Sequence, residues 1–151
     1  MNLNTEIIKY IDGSILCWLA TVSSDGVPNV SPKEIFDHQG ENTIIVANIA
    51  SPQTVKNIQQ NENVCISFID VLVQKGFQLK GKAKVIDSSD SRFLEMEKVL
   101  LKKTGGNFPF KTITVISIDQ AKQIIAPKYV LYPNTTEAEQ IADAKRAYGI
   151  K

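Results

Sequence analysis

The chain has 151 residues, 43% of them hydrophobic, enough for one complete core and too few for two ordinary domains, so a single domain over residues 1–151 is expected. Its 17 Lys and Arg stand against 16 Asp and Glu, and the net charge of +1 excludes the broad basic field that draws proteins onto nucleic acid or membrane surfaces; a small molecule is the expected partner. Glu6, Lys9 and Asp12 interrupt the apolar residues of Met1 to Gly13, unlike a signal peptide, and no stretch approaches the ~20 apolar residues of a membrane span, so a cytoplasmic location is expected.

Leu3, Ile7, Ile8 and Ile11 recur at helical spacing before Asp12-Gly13 and predict a short amphipathic first helix. Ile15 to Val22 is apolar and β-prone, Ser24-Asp25-Gly26 supplies a turn, and Val27 to Phe36 returns as a second strand, which makes a hairpin. Pro28 and Pro32 donate no ladder hydrogen bonds, so that second strand must be bulged or lie at a sheet edge. Thr43 to Asn48 reads as a third strand, and Ser51-Pro52 opens a helix carrying Val55 and Ile58 through Gln60. Val64 to Ile69 is a fourth strand. In Gly76 to Ile86 apolar residues alternate with Gln78, Lys80, Lys82 and Lys84, giving a fifth strand with one buried and one wet face. A helix is predicted from about Ser89 to Lys103, leaving at Gly105-Gly106-Asn107, then a sixth strand over Thr112 to Ile118 and a seventh over Gln123 to Ala126. Thr136 to Tyr148 has helical spacing. Strands in succession with helices between and beside them predict an α+β barrel of six or seven strands rather than alternating βαβ units.

Cys17 and Cys65 lie in apolar runs and are expected as buried free thiols. The single histidine, His38, falls in Asp37-His38-Gln39-Gly40-Glu41-Asn42, a cluster of turn formers, and is expected as a solvated loop residue. With no Cys or His at ligand spacing, no metal site is expected, and Ser-His-Asp or Cys-His catalysis has nothing to be built from. The absence of Gly-x-Gly-x-x-Gly removes the usual dinucleotide fingerprint.

The hairpin Ala20-Thr21-Val22-Ser23-Ser24-Asp25-Gly26-Val27-Pro28, returning through Val30-Ser31-Pro32-Lys33, resembles the opening of the pyridoxamine 5′-phosphate oxidase-like split barrels. Ile44 to Asn48, the helix Thr54 to Val64 and Gly76 to Ala83 continue the resemblance, which covers about Ile15 to Val85 well. It implies a mostly antiparallel FMN-binding split β-barrel with flanking helices, acting as a homodimer with FMN between the subunits. The phosphate would lie near the third strand and the following helix, and the ring along the second strand. The residues so implicated are Val30, Ser31, Pro32, Lys33, Asn48, Gln53, Thr54 and Lys56.

Elementary chemistry agrees with that placement, because a phosphomonoester dianion wants N–H donors, hydroxyls and a cation, and the start of the Pro52 helix offers orphan N–H groups and a favourable dipole. Simpler roles exist for the same residues: solvated lysines for Lys33 and Lys56, capping or turn residues for Ser31, Thr54 and Asn48. Trp18, Tyr129 and Tyr132 are aromatic enough to stack on a flavin or to fill core and interface. The chain departs from the oxidase itself, with Pro52-Gln53-Thr54 replacing a Ser-Arg-Lys run, Pro28 in place of an arginine, and no Arg-x-His signature. The resemblance therefore implies an FMN-dependent oxidoreductase other than that oxidase, passing hydride or electrons from a reduced nicotinamide-type donor to a small organic acceptor. A non-enzymatic flavin-binding or ligand-sensing module is the main alternative, ahead of a haem or other cofactor on the same barrel or a structural dimer with no cofactor.

Overall fold

In the computed structural model, which describes residues 1–151, the alternating segments pair into one seven-stranded sheet. The strands are β1 (Cys17–Val22), β2 (Pro28–Lys33), β3 (Phe36–Gln39), β4 (Thr43–Ala47), β5 (Asn63–Asp70), β6 (Lys75–Ile86) and β7 (Ile113–Ile125). Their order is β2-β1-β5-β6-β7-β4-β3, and every pairing is antiparallel. Inward side chains from near both edges, Leu19 of β1 and Phe36 of β3, meet in one core with Ile66, Leu79 and Ile116 of the strands between. The sheet must curl for that to happen, and the result is the expected split barrel.

Helix α1 (Thr5–Gly13) closes this core with Ile7 and Ile11, and Asn4 caps it by accepting from the Ile7 N–H at 2.9 Å. Helix α2 (Pro52–Gln60) packs on β1, β2 and β6. A second core builds where α3 (Phe93–Thr104) lays Phe93, Met96 and Leu100 against Ile45, Ile113 and Val115. Helix α5 (Glu137–Tyr148) starts at a capping box formed by Thr136 and Glu139. No helix is long and apolar enough to cross a membrane.

Backbone meets backbone at Gly81, next to the register shift between β6 and β7, where a Cβ would stand 2.0 Å from the Ser117 carbonyl oxygen. Only glycine fits that approach.

Four expectations need correction. The returning segment Val27 to Phe36 is two strands, because the chain turns at Glu34-Ile35 and β3 continues to Gln39. His38 therefore sits in a strand paired with Ile44, half-buried, with Nδ1 enclosed and unpartnered. The sixth and seventh strands are one, since β7 runs unbroken to Ile125 before a short helix α4 (Pro127–Leu131) that the sequence did not suggest. Both cysteines are free, but only Cys17 is fully buried; Cys65 is half-buried because its strand position faces outward.

Candidate functional site

Strand β2 lies at the edge of the sheet, which is where its two prolines can be tolerated. Its alternation turns Asn29, Ser31 and Lys33 toward α2 and leaves Pro28, Val30 and Pro32 exposed on the opposite face. The sequence of α2 places Thr54, Asn57 and Ile58, at i, i+3 and i+4, on its buried side. Ser31 Oγ and Thr54 Oγ1 consequently lie 3.1 Å apart. Lys33, only 5% exposed, donates from Nζ to Ser51 Oγ.

Backbone conformation explains why Ser51 is available. Ala50 is held at φ 49°, a left-handed conformation unusual for a residue with a Cβ. It delivers Ser51 at the head of α2 with a non-capping geometry, and the Ser51 hydroxyl donates to the Ile49 carbonyl at 3.1 Å instead of capping the helix. Pro52 has no N–H, so the first-turn N–H groups of Gln53 and Thr54 are left without a side-chain cap. Hydroxyls of Ser31, Ser51 and Thr54, two uncapped N–H groups and one ammonium thus converge where β2 meets α2.

Lys33 takes part in none of the ion pairs of the chain. Burial disfavours its charge and holds its pKa below the ordinary lysine value. Cys17, its neighbour across the ladder, offers no counter-charge, because burial pushes that thiol up to about 12. A buried ammonium with a single hydroxyl partner and no anion is an electrostatic demand for one.

A buried polar tie stands beside this cluster. Asn57 Nδ2 donates to Thr21 Oγ1 at 3.0 Å, Gln53 Nε2 donates to Asn57 Oδ1 at 2.7 Å, and Asn29 Nδ2 reaches the same Thr21 oxygen at 3.4 Å.

Of the eight residues named from sequence, Ser31, Lys33 and Thr54 are brought together. Gln53 contributes its backbone N–H, its side-chain amide being turned along the helix to Asn57. Asn48 is committed elsewhere, bonded to Thr112 Oγ1 at 3.1 Å and Thr114 Oγ1 at 2.9 Å on the β7 side. Lys56 lies on the exposed face of α2, and Val30 and Pro32 occupy the far side of β2. Sequence reasoning did not assign Ser51, Thr21 or Asn57 to the site. Asn57 carried a signal, since it directly precedes Ile58 and falls three residues after Thr54 on the same helical face.

Outside this cluster, an apolar groove of about 400 Å³ runs along the open face of the sheet past Leu16, Trp18, Ile69 and Ile124. Trp18 is 48% exposed there. Tyr129 is occupied, its hydroxyl donating to the Val73 carbonyl at 2.9 Å and its ring lying under Lys75. Lys82 of the β6 lysine row pairs with Glu62 at 2.9 Å. Asp12, Asp37 and His38 bring donor atoms within 4.8 Å of one another, with Lys103 3.6 Å from Asp37.

The sequence matches the family model for pyridoxamine 5′-phosphate oxidase over residues 3–144. No curated protein matches it. Solved structures share the fold: HupZ of Group A Streptococcus superimposes with a TM-score of 0.69 at 22% identity, covering 79% of this chain and 91% of that one. An FMN-binding protein from Syntrophomonas wolfei gives a TM-score of 0.67 at 20% identity, covering 80% and 84%. A protein described as a possible pyridoxamine 5′-phosphate oxidase from Lactobacillus delbrueckii gives 0.66 at 22%, covering 80% and 93%. At these identities the likeness is one of fold.

Proposed function

The chain belongs to the pyridoxamine 5′-phosphate oxidase family, and on that premise we propose that it is an FMN-binding flavoprotein whose cofactor phosphate is held where β2 meets α2. The observation that carries this reading is Lys33, a buried ammonium with no counter-charge set beside three hydroxyls and an uncapped helix start. The fit is chemical: a phosphomonoester dianion meets the cation, the hydroxyls of Ser31, Ser51 and Thr54, and the N–H groups of Gln53 and Thr54. Because β2 is an edge strand, a ligand anchored on its α2 side can reach around to Val30 and Pro32 on the other face, which supply an apolar surface beside Trp18 for the flavin ring. Bound FMN supplies the redox chemistry. The residues of this chain bind it, orient it and fix a positive charge near it.

We assign the activity to an oxidoreductase that passes hydride or electrons between a reduced nicotinamide-type donor and a small organic acceptor. The Ser-Arg-Lys run of the pyridoxamine 5′-phosphate oxidase itself is replaced here by Pro52-Gln53-Thr54, which argues against that enzyme's own substrate. Two copies are assigned to one active unit: Ile15, Trp18, Val30 and Val71 are 85%, 48%, 58% and 55% exposed around the open sheet face, an apolar surface that a second copy would cover.

Anaerobic addition of NADH or NADPH to the FMN-loaded protein tests the activity. Bleaching of the visible absorbance of the oxidised flavin, and its return on adding a quinone, are expected. Tight FMN binding with no reduction by either nicotinamide would instead establish a flavin-binding module.

A further inference from the structure

Resting on the flavin reading above, we infer that Asn57 is the positioning residue of the phosphate cradle, holding the start of α2 against β2 through its buried bond to Thr21. The cradle is assembled from two elements that share no backbone hydrogen bond, so something must fix the height of the helix along the strand. Apolar packing does little of this. Ile58 is the only aliphatic side chain of α2 that is fully buried; the other buried members of its inner face are Thr54 and Asn57, each 1% exposed.

Three polar ties remain. Lys33 to Ser51 joins β2 to the head of α2, Ser31 to Thr54 at 3.1 Å joins β2 to the first turn, and Asn57 to Thr21 at 3.0 Å joins the next turn to β1. A phosphate drawing on the Lys33 ammonium and on the Ser31, Ser51 and Thr54 hydroxyls competes for the protons that make the first two ties, and both are weakened just when the ligand arrives. The Asn57 tie lies one turn farther along and survives. It is also set up for one orientation: Gln53 donates to Asn57 Oδ1 at 2.7 Å, which leaves Nδ2 to face Thr21, whose oxygen is itself shared with Asn29 of β2. Thr21 thereby references the helix to both strands of the hairpin.

The test is paired titration of the full-length protein with FMN and with riboflavin, which lacks the phosphate, in Asn57→Leu and in Thr21→Val. Asn57→Leu keeps the volume and removes the donor; Thr21→Val leaves Asn57 in place and removes its acceptor. Each is expected to raise the Kd for FMN about tenfold, the factor corresponding to about 1.4 kcal/mol, while the riboflavin Kd stays within about twofold. A positional role predicts that split, and a general loosening of the fold does not. Equal losses for the two ligands, or an FMN affinity unchanged in both variants, would overturn the inference while leaving the flavin reading intact. A parent protein that binds neither flavin would overturn the flavin reading and this inference with it. Should Asn57→Leu fail to fold, Thr21→Val alone decides.

Discussion

Replacing Lys33 by methionine separates the binding role of this residue from its structural one. The side chain is 5% exposed, its ammonium is bonded only to the Ser51 hydroxyl, and no carboxylate neutralises it, so in the ligand-free protein the charge costs stability. Methionine keeps the length of the stem and removes that cost. Ligand-free Lys33→Met should therefore be as stable as the parent or more so in urea unfolding. Its FMN affinity should fall, because a charge-assisted bond to phosphate contributes about 1.5–3 kcal/mol, about 10- to 150-fold in Kd. The pH dependence has a definite sign. Folding lowers the Lys33 pKa from its ordinary value of 10.5, so the unfolded chain binds more protons between the two values and stability rises with pH across that window. The penalty is fully present below the folded pKa and gone above 10.5, and this rise should be missing in Lys33→Met. If the lysine instead stabilises negative charge on the reduced flavin, the affinity for oxidised FMN will hold and the reduction potential will drop. Parent-like FMN affinity together with a parent-like potential would refute the assignment and make Lys33 a structural lysine.

Three further outcomes follow from separate parts of the molecule. Gly81→Ala forces a Cβ to within 2.0 Å of the Ser117 carbonyl oxygen and should cost about 1–3 kcal/mol in urea unfolding; a parent-like midpoint would mean that the β6–β7 contact relaxes freely. Ala50→Gly removes the left-handed strain at φ 49° and should stabilise the ligand-free protein by about 0.5–1 kcal/mol, and a loss of stability would show that Ala50 carries no strain. Trp18→Lys places a charge on the exposed apolar sheet face and should shift the protein toward monomer in light scattering; a parent protein that is already monomeric at micromolar concentration contradicts the dimer.

Local pattern made some parts of this molecule readable and hid others. The period-two alternation of β6 separated Phe77, Leu79 and Ala83 from Lys80, Lys82 and Lys84 because one face of that strand is packed and the other wet. Strand β7 obeys no such rule beyond Ile118: Asp119 to Gln123 is exposed on both faces, so the ladder to β6 continues where no burial pattern reports it. The break between β2 and β3 is likewise invisible in sequence, since Glu34-Ile35 lies inside a run that reads as extended throughout. The resemblance marks the whole run Val30 to Lys33 and the start of the proline-initiated helix, and the parity of β2 in the structure then separates Ser31 and Lys33 from Val30 and Pro32. Ser51 could be recognised as a helix opener, but its bond to Lys33 depends on the backbone turn at Ala50. Thr21 and Asn57 are 36 positions apart, and only the docking of α2 on β1 makes them partners. Lys56 illustrates the converse, a lysine well placed in sequence whose side of the helix faces solvent.

A crystal structure of the protein with FMN tests the central claim most directly. The account predicts the phosphate within hydrogen-bonding distance of Lys33 Nζ, Ser31 Oγ and Thr54 Oγ1 at the start of α2. A phosphate bound instead to the exposed lysines of β6, with Lys33 still bonded to Ser51 alone, would contradict it.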